Sequence, residues 1–97
     1  MTNEPTVDWD AIHEEAIDLL STYIQIDTVN PPGNETRACD FLGPILDHEG
    51  IPYDLYDPGE NRKTLVATLK GDGTRGKPLI LLNHTDVVPF EIDHWTV

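Results

Sequence analysis

Apolar positions recur at helical spacing early in the chain. From Asp8 onward, Trp9, Ile12, Ala16, Leu19, Leu20 and Tyr23 share one face, and Asp10, His13, Glu14, Asp18 and Gln25 fill the other. The pattern predicts an amphipathic helix capped by Asp8, with Asp10 and Glu14 suited to the positive end of its dipole. Asn30-Pro31-Pro32-Gly33 ends it, because neither proline has an amide to donate and Pro31 biases Asn30 toward extended backbone. A second helix is predicted over Asn34 to Glu49. Asn34 is its expected cap, Ala38, Phe41, Leu42, Ile45 and Leu46 its buried stripe, and Gly50 its stop. Gly43-Pro44 falls inside it, and an interior proline, which costs about 3 kcal/mol, predicts a bend.

Three strand segments follow: Ile51 to Tyr56, Thr64 to Leu69, and Leu79 to Asn83. In the first two the apolar residues alternate, with Ile51, Tyr53 and Leu55, then Leu65, Ala67 and Leu69, on one face. That suits a sheet covered on one side. Leu79-Ile80-Leu81-Leu82 is apolar on both faces, as a central strand covered above and below would be. Two helices followed by three strands predict a layered α/β unit.

Charge narrows the partners. Eighteen acidic residues against six basic ones leave a formal net charge of −12, a field that repels phosphate backbones and anionic lipid, so nucleic acid and membrane are not expected as partners. The acid excess itself reads as a solvated surface or as adaptation to salt. No apolar run is long enough to span a bilayer, and the acidic stretch Met1 to Asp10 has none of the features of a secretory signal. The expected location is the cytoplasm. The single cysteine, Cys39, excludes an internal disulfide and a cysteine-rich zinc site, and it falls in an apolar helical pattern where packing is its simplest role.

Gly71-Asp72-Gly73-Thr74-Arg75-Gly76 has the spacing of a dinucleotide-binding loop. That reading fails, because a helix must follow the glycines to point its amides at the pyrophosphate, and Lys77-Pro78 and an apolar run follow instead. The segment reads as a connection between strands.

The chemistry concentrates at His84-Thr85-Asp86. Placed at the carboxyl end of the predicted third strand, where open α/β sheets hold their sites, two residues spaced by one project to the same side. Neutral imidazole is a good zinc ligand, and a carboxylate beside it fixes its tautomer and raises its basicity. His-x-Asp alone is a weak signal, since a strand-end histidine often bonds only a backbone carbonyl. Other candidates are weaker still. His94 with Glu91 and Asp93 belongs to a solvated loop, while His13 and His48 are surface residues of the helices. Capping is the simplest job for Asp27 and Thr28, with approach to the pocket as the alternative.

The setting of His84 strengthens the signal. Leu81-Leu82-Asn83-His84-Thr85-Asp86-Val87-Val88-Pro89, with Trp95 beyond it near the site rim, resembles the first metal-binding motif of the zinc-dependent aminoacylase, acetylornithine deacetylase, succinyl-diaminopimelate desuccinylase and carboxypeptidase family. The opening helix, the Thr28-Val29-Asn30-Pro31-Pro32-Gly33 loop and Gly50-Ile51 before the first strand are similar to that family too, so the resemblance covers the chain from about Trp9.

It implies a three-layer α/β/α zinc-peptidase-like catalytic domain, of which residues 1–97 are the incomplete N-terminal portion. It further implies a site of two zinc ions, with cobalt or manganese as chemical alternatives. His84 is then a metal ligand and Asp86 the catalytic-site carboxylate that holds its ring. The implied reaction is hydrolysis of an amide bond in an N-acyl amino acid or at a peptide C-terminus, and a dimerising lid downstream implies a homodimer for the complete enzyme. The bridging aspartate, the general-base glutamate and the other ligands would lie beyond Val97, so the chain alone is expected to be inactive and to hold zinc weakly. The rival reading is a non-catalytic α/β binding module whose His-x-Asp merely closes a strand.

Overall fold

The computed structural model describes residues 5–96. Helix α1 runs Trp9–Ile24, and Asp8 caps it as its sequence suggests, the carboxylate accepting from the Ala11 amide at 3.1 Å. Helix α2 runs Thr36–His48. Its start differs from the expectation. Asn34 takes a left-handed φ of 55° and is no cap; Glu35 occupies that position without a side-chain capping bond, because its carboxylate is engaged elsewhere. The helix continues through Pro44, whose ring lies on the exposed side. It ends as predicted at Gly50, with φ 68°. There the Gly50 amide donates to the Asp47 carbonyl at 3.1 Å and the Ile51 amide to the Leu46 carbonyl at 2.9 Å, the paired bonds of a Schellman motif.

Strands β1 (Tyr53–Tyr56) and β2 (Thr64–Ala67) form a two-stranded antiparallel sheet with α2 packed on it. In its register Tyr53 faces Ala67 and Leu55 faces Leu65, so the alternating residues share one face as their period requires. The chain is thus a small mixed α/β unit of two helices and one hairpin sheet.

The third predicted strand does not form. Leu79 to Asn83 has no ladder partner, and Leu79, Ile80, Leu81 and Leu82 are 83%, 83%, 86% and 92% exposed. A strand apolar on both faces needs neighbours on both edges and cover above and below, and a hairpin with one packed helix does not supply them. The apolar stripe of α1 is also uncovered: Leu19 and Tyr23 are half-buried, the latter 6.5 Å from Phe41 between ring centroids, while Trp9, Ile12 and Leu20 are exposed. Among the described residues only Ala38 and Cys39 are buried hydrophobic side chains. The radius of gyration of 16.9 Å exceeds the roughly 13 Å of a compact chain this size, so the unit is open. No helix of the described residues is long and apolar enough to cross a membrane.

Candidate metal centre

Three stretches distant in sequence meet around His84. The loop after α1 pairs with the residues after His84 through a parallel bridge between Val29 and Val87. The Val87 amide donates to the Thr28 carbonyl at 3.1 Å, and the Asn30 amide to the Val87 carbonyl at 2.8 Å. Thr28, only 4% exposed, adds a hydroxyl bond to the Thr85 carbonyl at 2.6 Å. Thr28 is therefore no cap but a clamp on the His84 segment. Asp27 stays exposed; its carboxylate accepts from the Val29 amide at 3.2 Å and orders the loop locally.

Within this clamp His84 and Asp86 turn toward each other. The ring nitrogen Nδ1 lies 3.3 Å from Asp86 Oδ1 and 2.8 Å from the Asp86 backbone carbonyl. The shorter contact is to the carbonyl, so the carboxylate shares the task of holding the ring. Both partners are acceptors. Nδ1 must then carry the proton, which leaves the Nε2 lone pair for a metal or a proton. The His84 side chain is 85% exposed, which keeps Nε2 reachable, whereas that of Asp86 is 31% exposed.

Asp86 has further partners that sequence reasoning missed. Asn30 Nδ2 donates to its Oδ2 at 3.0 Å, and Arg62 Nη2 stands 3.8 Å from the same oxygen. The Asn30 bond above all, with the Arg62 charge nearby, holds the Asp86 carboxyl below the usual carboxylate range against the desolvation that opposes it. Arg62 is itself anchored by buried Glu35, with Nη2 at 2.6 Å from Oε1 and Nε at 3.2 and 3.1 Å from the two oxygens. Those bonds lower the Glu35 pKa. Gly33 makes the approach possible: at φ 100° it is buried under the pair, and a Cβ there would meet the Glu35 oxygens at 2.8 and 2.9 Å.

Asn30 carried a partial signal, standing in the proline loop already singled out. Arg62 and Glu35 carried none, since nothing local marks partners 27 residues apart.

An open cavity of about 700 Å³ adjoins the cluster, lined by Glu35, Ala38 and Leu42, by Thr64, Leu65 and Ala67 of β2, and by Leu81, His84 and Asp86. The remaining candidates stay outside. His94 pairs with Glu91 at 3.1 Å in an exposed turn over Ile92–His94, and Trp95 beside it is 63% exposed. His13 lies on exposed α1 with its ring 6.4 Å from Trp9, and His48 sits exposed in the last turn of α2. Cys39 is buried against the Lys63 carbonyl, as a packing residue would be, and burial pushes its thiol pKa up. In the glycine-rich loop Asp72 accepts from the Thr74 amide and hydroxyl at 2.9 and 2.6 Å, and no helix follows Gly76 directly.

Among the described residues no group of three or more His, Cys, Asp or Glu side chains is placed to hold a metal ion. A catalytic zinc typically takes three protein ligands. The described residues around His84 do not complete such a donor set. No family model, curated protein or solved structure matches the chain.

Proposed function

We propose that the chain supplies the N-terminal part of a metal-dependent amidohydrolase, a portion of a three-layer α/β/α catalytic domain of the zinc-peptidase type. One observation carries this reading: an exposed imidazole beside an open cavity has Nδ1 turned to both the carbonyl and the carboxylate of Asp86, so Nε2 is presented as a donor. A strand-closing histidine without a ligand role has no need of a carboxylate that is itself held by an amide and a guanidinium. The uncovered Leu79–Leu82 run also supports it, because such a segment suits an interior position in a larger sheet.

In this reading His84 is a ligand of zinc, or of cobalt or manganese, and Asp86 orients it. The bound metal supplies Lewis acidity and activates water for attack on an amide carbonyl. The substrate class is an N-acyl amino acid or a peptide C-terminus, and the complete enzyme is a homodimer. The test is to read the frame past Val97 and, where it continues, to express it and measure metal content and carboxylate release from N-acyl amino acids, with and without His84→Ala. Loss of both metal at one site and activity is the expected result. Unchanged metal and rate refute the reading, and a stop codon after Val97 with a stably folded product favours the non-catalytic module.

A further inference from the structure

The Asp86 carboxylate is divided between two neighbours. Oδ1 faces His84 Nδ1 at 3.3 Å, while Oδ2 takes the Asn30 side-chain amide at 3.0 Å. A carboxylate on a freely turning side chain would point at His84 only part of the time. One directional bond on the far oxygen removes that freedom, because the two oxygens are rigidly related. Asn30 is itself fixed. Its backbone amide is tied to the Val87 carbonyl at 2.8 Å, so its side chain and Asp86 ride on the same pair of bridged segments. Arg62 faces Oδ2 as well, but at 3.8 Å and with its guanidinium committed to Glu35, so it supplies charge and not direction.

We infer that Asn30 is a positioning residue: it orients the Asp86 carboxylate so that the His84 proton stays on Nδ1 and Nε2 stays open. Its place in a metal centre rests on the hydrolase reading above, whereas its effect on the ring does not. An asparagine suits this position because an amide donates without adding charge, and an aspartate there would set two carboxylates against each other.

The experiment reads the ring directly. In the metal-free chain, labelled with 15N, the imidazole shifts of His84 report the ratio of the two neutral tautomers at a fixed pH of about 8, where imidazole is neutral. Asn30→Ala lowers the share protonated on Nδ1 by roughly 2-fold in the ratio, the low end of what one net hydrogen bond is worth, because the Asp86 carbonyl at 2.8 Å still accepts from Nδ1. Asn30→Asp lowers it further. A ratio unchanged in both variants overturns the proposal. Should either variant lose the Val29–Val87 pairing, the parent chain still decides, since a through-space contact between the Asn30 side-chain amide protons and the Asp86 Hβ protons is required and its absence overturns the assignment. Failure of the hydrolase reading would show instead in metal content and activity, neither of which this measurement uses.

Discussion

Asn30 and Asp86 stand 56 positions apart in sequence, and the amide of one donates to the carboxylate of the other at 3.0 Å. The contact joins the proline loop after α1 to the segment that carries His84. It makes the candidate centre a product of three chain segments, with Arg62 and Glu35 forming the third side.

The contact geometry sets how far Asp86 matters. In the complete enzyme proposed above, Asp86→Ala should weaken metal binding toward the lower end of the roughly 10- to 100-fold loss typical of a residue that orients a ligand. The Asp86 carbonyl, nearer to Nδ1 at 2.8 Å, survives the substitution. Metal titration of parent and variant checks this. A full loss of metal would mean that Asp86 is itself a ligand.

The Glu35–Arg62 pair makes stability depend on pH. The folded-state pKa of Glu35 is lowered by the Arg62 bonds, so their contribution is fully present above the unfolded value and is lost as pH falls through the folded one. Glu35→Gln should lower the melting temperature by a few degrees at neutral pH, with the difference from the parent closing in acid. Thermal unfolding followed by circular dichroism between neutral and acid pH reads both. A constant difference across that range would count against the pair.

Gly33→Ala should destabilise the chain by about 1–3 kcal/mol, the range for backbone strain. The new methyl would need a left-handed backbone and would press on the Glu35 oxygens at 2.8 and 2.9 Å. Denaturant unfolding tests it. The same substitution at Gly59, also left-handed but with nothing within 4 Å of a Cβ, isolates the backbone share.

Capping predicts a separate local effect. Asp8→Ala removes the acceptor of the Ala11 amide and should cost about 1 kcal/mol in α1, seen as lost helical signal, while Asp8→Asn should recover most of it.

The uncovered apolar run should drive self-association of this chain, since Leu79, Ile80, Leu81 and Leu82 are each more than four-fifths exposed. Replacing Leu81 and Leu82 by Lys should lower light scattering markedly while changing unfolding free energy by less than about 0.5 kcal/mol per site, as for exposed positions. A large stability loss would show that the segment is packed in solution.

Local features were legible in the residue pattern. The cap at Asp8, the helix stop at Gly50 and the alternation that puts Tyr53 and Leu55, with Leu65 and Ala67, on one face of the sheet all follow from spacing within a few residues or from strand period. What lies far apart was settled only by the folded chain. Nothing in the Asn34 to Glu49 pattern shows that Glu35 is reserved for Arg62, so the expected cap is off by one position. The apolar code of Leu79–Leu82 states a preference for burial, but burial needs neighbouring strands and covering helices, and whether those exist is a property of the assembled fold. The same holds for Asn30: hydrogen bonding between side chains 56 positions apart leaves no period in the sequence, because only the path of the backbone in space brings donor and acceptor within 3.0 Å.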